Sequence, residues 1–114
     1  MPKAHFNPAH QAFLDGMLLQ IPEVTSGKMF GYPAYFVRGK LFACVYGEGV
    51  GIKIPQTTAG ELLKNAHIVP FQPMGRAIMR QWVQINRSVP MDYSLDYDTF
   101  VLAIQFVKSI DQAC

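Results

Sequence analysis

The feature that most constrains the fold is a run of three apolar segments separated by two glycine-containing turns. Arg38–Gly39 separates the first two segments, and Gly47-Glu48-Gly49 separates the second from the third. Such short glycine-containing connections favour tight reversals, so the strands that they join must run antiparallel. We therefore predict a three-stranded meander, with strands at residues 27–37, 40–46 and 50–54.

Two details of the meander bear on its shape. Gly31 and Pro33 interrupt the first strand, and both residue types weaken a strand interior, so we predict a bend between them. The second strand is apolar at both alternating sets of positions, which indicates cover on both faces or a central place in the sheet. The two sets are Phe42, Cys44 and Tyr46, and Leu41, Ala43 and Val45.

Helices and further strands are predicted on either side of the meander. Asn7 and Pro8 favour the start of a helix that reaches about residue 20 before Pro22. Thr57 or Thr58 is predicted to cap a short helix that reaches about residue 64, and Glu61 lies three residues after Thr58, as in a capping box. The rest is predicted as an extended piece at 68–71, a strand at 76–85, a loop at 86–94 and a helix at 95–112. In the 76–85 strand the alternation assigns Ala77, Met79, Val83 and Ile85 to one face, and Ile78, Arg80, Trp82 and Gln84 to the other.

The element order is α-β-β-β-α-β-β-α. The chain has 114 residues, half of them hydrophobic, which fits one compact domain over residues 1–114. Because the meander strands are antiparallel, we predict an α+β fold with two layers, in which helices cover one face of a five-stranded antiparallel sheet.

Composition limits the functional classes. The formal net charge is only +2, although residues 24–91 hold eight Lys or Arg residues against two Glu residues. The two cysteines do not form a disulfide framework, so free thiols and a reducing, cytoplasmic location are expected. No apolar run is long enough to span a bilayer. We therefore expect no membrane association.

No group of residues specifies a reaction. Cys44, Ser26 and Ser88 are possible nucleophiles, but none has a motif that places a base beside it. His67 is isolated, and His5 and His10 lack the spacing of a metal pair on one helix face. The acidic residues Asp92, Asp96 and Asp98 fit helix capping. Glycines 47, 49 and 51 lie between two strands, unlike a phosphate-binding loop, which leads into a helix. We predict no enzyme, no metal and no cofactor.

The candidate binding residues are one aromatic and four basic side chains. Strand alternation places Lys53, Arg80 and Trp82 on outward positions, with Arg38 and Lys40 at a neighbouring turn. An aromatic ring flanked by cations suits an anionic ligand, a protein partner or nucleic acid. The alternative is that Trp82 packs under a helix or under the N-terminal segment, and that the basic residues are merely solvated.

Several short motifs resemble the N-terminal domain of the TfoX-type competence regulators. They are Lys28-Met29-Phe30-Gly31, Gly39-Lys40-Leu41-Phe42-Ala43 and Gly51-Ile52-Lys53-Ile54, with a looser match at Phe71, Pro73, Met79 and Trp82. Gly31-Tyr32-Pro33 departs from that family, which more often has a second glycine and no proline there. Trp82-Val83 gives a looser resemblance to the YjbR family. The TfoX resemblance implies a role in regulating competence and gene expression, and it carries no established catalytic residues.

Three functional expectations follow. The first is a non-enzymatic regulatory or protein-interaction domain, and the alternative is a nucleic-acid-binding module that uses the basic sheet segment. We also predict a homodimer, because Val101, Leu102 and Phe106 extend the apolar surface of the last helix and one sheet face is left open. The competing arrangement is a monomer in which the N-terminal segment or the 86–94 loop covers that face.

Overall fold

The described part of the protein has an α+β fold, with one six-stranded antiparallel sheet and three α-helices. A computed structural model describes residues 5–73 and 79–112, with side chains of the last helix described to residue 110. The strands lie in the order β1-β2-β3-β4-β6-β5. They are β1 (Val24–Met29), β2 (Tyr32–Val37), β3 (Lys40–Tyr46), β4 (Gly49–Lys53), β5 (Ile68–Pro70) and β6 (Trp82–Asn86), and the helices are α1 (Pro8–Leu18), α2 (Gln56–Leu62) and α3 (Tyr97–Gln112).

Helices α1 and α3 cover one face of the sheet. The Asn7 side chain accepts a hydrogen bond from the Ala9 N–H at 2.9 Å, so the predicted cap of α1 is confirmed. Leu14 and Leu18 of α1, with Phe100 and Ala103 of α3, are buried in the main core. Inward residues of β2, β3, β4 and β6 complete this core from the sheet side: Tyr35, Val37, Ala43, Val45, Val50, Ile52, Val83 and Ile85.

The predicted count of five strands was wrong, because the first predicted strand is a hairpin. Phe30 and Gly31 have φ values of 52° and 86°, and Met29 pairs with Tyr32 across them. Two consecutive positive φ values are typical of the tight turn that suits the twist of a hairpin. The Gly31 signal was read as a bend, because Phe30 rarely adopts a positive φ and did not suggest a turn.

Strand β3 does not alternate strictly. Tyr35 pairs with Ala43, but Phe36 pairs with Leu41, so Phe42 is an extra residue on β3. This bulge places Phe42 in the same core as Ala43 and Val45. The predicted set of Phe42, Cys44 and Tyr46 is therefore split. Cys44 belongs to a second cluster on the opposite sheet face, and Tyr46 packs against it.

The strand predicted at 76–85 is shorter and begins later. Residues 76–78 lie outside the described part of the chain, and β6 starts at Trp82. The Trp82 N–H donates to the Met79 carbonyl at 3.1 Å, so residues 79–82 form a turn. Val83 and Ile85 face the helices as predicted. Met79 does not, since it packs against Trp82 on the opposite face, because strand alternation does not extend through a turn.

Two helix starts also differ from prediction. Helix α2 begins at Gln56 after Pro55 and has no side-chain cap, so the predicted cap at Thr57 or Thr58 was wrong. The last α-helix begins at Tyr97 rather than residue 95, and a 3₁₀ helix, Pro90–Asp96, replaces much of the predicted loop. Within residues 5–73 and 79–112, no helix has both the length and the hydropathy that a bilayer span requires.

Candidate binding surface on the open sheet face

The sheet face opposite α1 and α3, called the open face here, carries a row of four aromatic rings. Tyr32 of β2 and Tyr46 of β3 have ring centroids 4.9 Å apart. Phe71, just after β5, lies 5.7 Å from Tyr46 and 5.4 Å from Trp82 of β6. Centroid separations of 4.5–7 Å are those of favourable aromatic pairs. The row therefore links β2, β3 and β6 across this face.

Phe71 completes the row because β4 has no side chain beneath it. A Cβ at Gly51 would lie 2.7 Å from the Phe71 ring, closer than real contacts allow. Phe71 is 1% exposed and spans β4 at this point. Gly51 is therefore a residue within β4 that makes room for an aromatic ring. The sequence assigned glycines 47, 49 and 51 to a turn between two strands. Of these three, only Gly47, with φ 57°, lies in the turn, because Gly49 and Gly51 belong to β4.

An apolar groove adjoins the row. It encloses about 210 Å³. Phe30 at one side is 69% exposed, which is high for a large hydrophobic side chain, whereas Phe71 at the base is buried. The described lining residues are all hydrophobic: Met29, Phe30, Leu41, Phe71, Pro73, Met79 and Trp82. The groove is therefore a surface that can accept apolar side chains from outside.

Two of the predicted binding cations flank the groove at Trp82. Lys53 of β4 is paired in register with Trp82, so both side chains project from the open face. Arg80 is exposed and, with Trp82 and Met79, lines an adjoining depression of about 250 Å³ beside α2. Neither cation forms an ion pair with a described residue. Lys53, Arg80 and Trp82 thus lie together, as the sequence predicted.

The other two predicted site residues lie elsewhere. Arg38 occupies the β2–β3 turn and donates to Glu23 at 3.0 Å. Lys108 of α3 donates to the same carboxylate at 2.7 Å. The hydrogen bond from Lys108 lowers the pKa of Glu23 most, and the hydrogen bond from Arg38 lowers it further. Lys40 pairs with Val37, whose side chain faces the helices. Neither Arg38 nor Lys40 therefore belongs to the groove.

The possible nucleophile Cys44 is unsuited to catalysis. Its side chain is fully buried between β2 and β4, and burial raises the pKa of the thiol to about 12. A cysteine reacts as the thiolate, so this group is inert at neutral pH. Of the acidic candidates, Asp96 accepts two hydrogen bonds from Arg87, at 2.8 and 3.0 Å. That ion pair holds the start of α3 against the end of β6.

A buried polar pair on the helix side escaped sequence reasoning. His10 is 1% exposed, and its Nδ1 lies 2.7 Å from the Tyr93 hydroxyl. Burial raises the pKa of Tyr93, and the Asp96 charge adds to the effect. His10 and Tyr93 are 83 positions apart in the sequence. The available signal was the spacing of His10, four residues before Leu14 and eight before Leu18, which places all three on one helix face.

Side chains that could bind a metal ion do not cluster in the described part of the chain. In residues 5–73 and 79–112, no three His, Cys, Asp or Glu residues are grouped in a way that could hold a metal ion. His67 is partly buried, and its carbonyl accepts from the Asn86 N–H at 2.8 Å.

No family model matches the chain, and neither the curated proteins nor the solved structures contain a match. The TfoX and YjbR resemblances therefore rest on the quoted residues alone.

Proposed function

We propose that this protein is a non-enzymatic interaction domain whose open-face groove binds a hydrophobic peptide segment flanked by acidic residues. The observation that carries the proposal is the position of Lys53 and Arg80 beside an apolar groove. A regulatory role, as the TfoX resemblance implies, fits such a domain, and the unpaired Cys44 fits a cytoplasmic location.

The size of the groove favours a peptide over a metabolite. Small-molecule sites usually enclose at least about 300 Å³ and include several convergent polar groups. This groove encloses about 210 Å³, and its described lining is apolar. A space of this size suits one or two anchoring side chains of a longer partner. Binding energy at protein interfaces concentrates at such anchors, and Trp is enriched among them.

The charge of the sheet favours an acidic partner. None of the six strands contains an Asp or Glu, whereas Lys53 projects from the open face next to Trp82. Arg80, which is exposed, adds a second cation two residues before Trp82. Complementary charge at the rim of an interface speeds association and excludes partners of the wrong sign.

Selection from a random peptide library tests the proposal. Peptides selected on the wild-type protein are expected to combine large apolar residues with Asp or Glu. Trp82→Ala should abolish their binding, and Lys53→Glu and Arg80→Glu should each weaken it. Lys64→Glu is the matched control, because Lys64 is an exposed cation that pairs with Glu61 and lines neither the groove nor the depression beside it. Selected peptides rich in Lys or Arg, or binding that survives Trp82→Ala, would contradict the proposal.

Nucleic acid is the alternative ligand, supported by the same cations and by the aromatic row. Bases bind by stacking on accessible rings. Tyr32 and Phe71 are buried within the row, which leaves only Tyr46 and Trp82 partly accessible. The peptide is therefore the better candidate. A fluorescent single-stranded oligonucleotide, titrated at low and at moderate salt, distinguishes the two, because nucleic-acid affinity falls steeply as salt rises.

A further inference from the structure

The two edges of the sheet differ in how open they are to another strand. Strand β5 ends one edge after only three residues, and its last residue is Pro70, which has no N–H to donate. Strand β1 ends the other edge with six residues, no proline and four consecutive exposed positions. Short strands and prolines protect sheet edges from pairing. Only the β1 edge lacks both protections.

The unpaired backbone groups of β1 follow from its hairpin. The tight turn at Phe30–Gly31 makes Met29 and Tyr32 a hydrogen-bonded pair, and such pairs alternate along an antiparallel ladder. Gly27 therefore bonds to β2, whereas the N–H and C=O of Ser26 and Lys28 point outward. The next outward N–H, that of Val24, donates to Ile21 O at 3.2 Å. No described residue bonds the outward groups of Ser26 and Lys28.

These free groups are complementary to those of a second β1 strand. In an antiparallel pair with Gly27 on the two-fold axis, Ser26 of each copy lies opposite Lys28 of the other. Both residues have outward groups, so each of the two pairs can exchange two hydrogen bonds. Centring the axis on Lys28 would place two lysines side by side, and centring it on Ser26 would require the Val24 N–H that Ile21 already uses. Gly27 is the centre that satisfies all the groups.

The surroundings of Gly27 also suit close approach. A Cβ at Gly27 would lie 2.9 Å from Phe36 Cε1, so the Phe36 ring covers this glycine on the open face. On the helix side, Ser26 and Lys28 border a depression of about 250 Å³ next to Gln11 and Asp15. Helix α1 therefore does not obstruct the edge. The axis would bring the two Phe36 rings together on one side and leave room for the polar side chains on the other.

We infer that two copies of this chain associate through antiparallel β1–β1 pairing centred on Gly27, which forms one continuous twelve-stranded sheet. Such an interface is isologous, as two-fold dimers require. The residues that exchange hydrogen bonds, Ser26 and Lys28, lie outside the apolar groove, whereas Met29 at the end of β1 lines the groove and would lie opposite Thr25 of the second copy. The interface involves neither Trp82 nor the exposed residues of α3.

Opposite charges at position 26 test both the interface and its register. Ser26→Glu places a carboxylate opposite Lys28 of the second copy, and Ser26→Lys places a cation there. Because of the two-fold axis, the dimer contains two such pairs. From the usual strength of cross-strand charge pairs, Ser26→Glu should lower the dimer Kd by about 2- to 30-fold and Ser26→Lys should raise it by a similar factor. Thr25→Glu and Thr25→Lys are the matched controls, because Thr25 projects from the opposite face, and these two should not differ by charge.

Sedimentation equilibrium at micromolar concentrations gives the readout, and thermal melting verifies that each variant is folded. The wild-type mass should approach twice the 12.8 kDa of one chain. The Ser26 and Lys28 amides should become protected from hydrogen exchange as the concentration rises, and Trp82→Ala should leave the mass unchanged. A monomeric wild type, or a dimer that responds equally to both Ser26 variants, overturns the inference.

Discussion

The two faces of the sheet are built from different chemistry. On the helix side, a mixed aliphatic and aromatic core surrounds polar groups that satisfy one another, as Tyr35 does by donating to Asp15 at 2.6 Å. On the open face, aromatic rings and methionines meet at a groove, and Lys53 and Arg80 have no described ion-pair partner. The chain's own helices complete the first face. The second has apolar contacts and unpaired charge that a partner could complete.

If the groove binds a peptide as proposed, the two faces of one sheet divide stability from recognition. Residues under α1 and α3 are fully enclosed, so substitutions there should act on folding. Trp82 and Met79 at the groove are only partly enclosed, so substitutions there should act mainly on binding. Cys44 and Phe71 at the base of the open face are buried, so they also contribute to stability. Four predictions test this division, beginning with the largest expected effect.

A buried charge should distinguish the faces most clearly. Ile52 is 0% exposed on the helix side, so Ile52→Asp should unfold the domain. The substitution buries an unpaired carboxyl group and removes core packing, and the two costs together are comparable to a total stability of about 5–15 kcal/mol. Met79→Asp should stay folded, because Met79 lies at the groove and is partly exposed. Circular dichroism during thermal melting measures both. An unfolded Met79→Asp would show that the open face is also essential to the core.

Truncation of one aromatic residue on each face should give unequal losses. Phe100 of α3 is fully buried, so Phe100→Ala should cost about 3–5 kcal/mol. Trp82→Ala should cost less than about 3 kcal/mol, since the indole is only partly buried. Urea unfolding gives both values. Equal losses would mean that Trp82 is a core residue rather than a binding residue.

Alkaline pH should weaken the fold through Cys44. Burial raises the pKa of this thiol from 9.0 to about 12. The stability that depends on the neutral thiol is therefore fully present below pH 9, and it is lost as the pH rises from 9 toward 12. In that window the unfolded chain ionises first, and this group should remove up to about 1.4 kcal/mol per pH unit. Urea unfolding of wild type and Cys44→Ala at several pH values isolates the effect. Parallel pH profiles would contradict the assigned burial.

Replacing glycine by alanine at Gly51 and at Gly16 should change the free energy of unfolding in opposite directions. Gly51→Ala should cost about 1–3 kcal/mol, because the new methyl group displaces the Phe71 ring from β4. Gly16→Ala should instead stabilise the domain by about 1 kcal/mol, because Gly16 is in α1 and nothing lies within 4 Å of a Cβ there. Calorimetry on the two variants checks the signs. A neutral Gly51→Ala would mean that the ring row adapts easily.

The closeness of three candidate residues could be predicted from the sequence, but the reason for it differs from the one that the structure shows. The sequence placed Lys53, Arg80 and Trp82 together by assuming one long strand, whereas Arg80 actually precedes β6 in a turn. Arg38 was included because its turn was expected to lie beside Lys53 and Trp82, but Arg38 binds Glu23 away from the groove. The roles of Phe71 and Gly51 could not be predicted, because their contact joins segments that show no mutual pattern in the sequence.

The sequence by itself determined the features that depend on neighbouring residues. Asn7-Pro8 sets the start of α1, Arg38-Gly39 sets a turn, and alternation sets the inward residues of β4. Only the tertiary structure decided the hairpin at Phe30, the bulge at Phe42 and the pairing of His10 with Tyr93. Each of these depends on what a distant segment places opposite the residue. Local preference constrains backbone geometry within a few positions, whereas register and packing are set by contacts across the whole sheet.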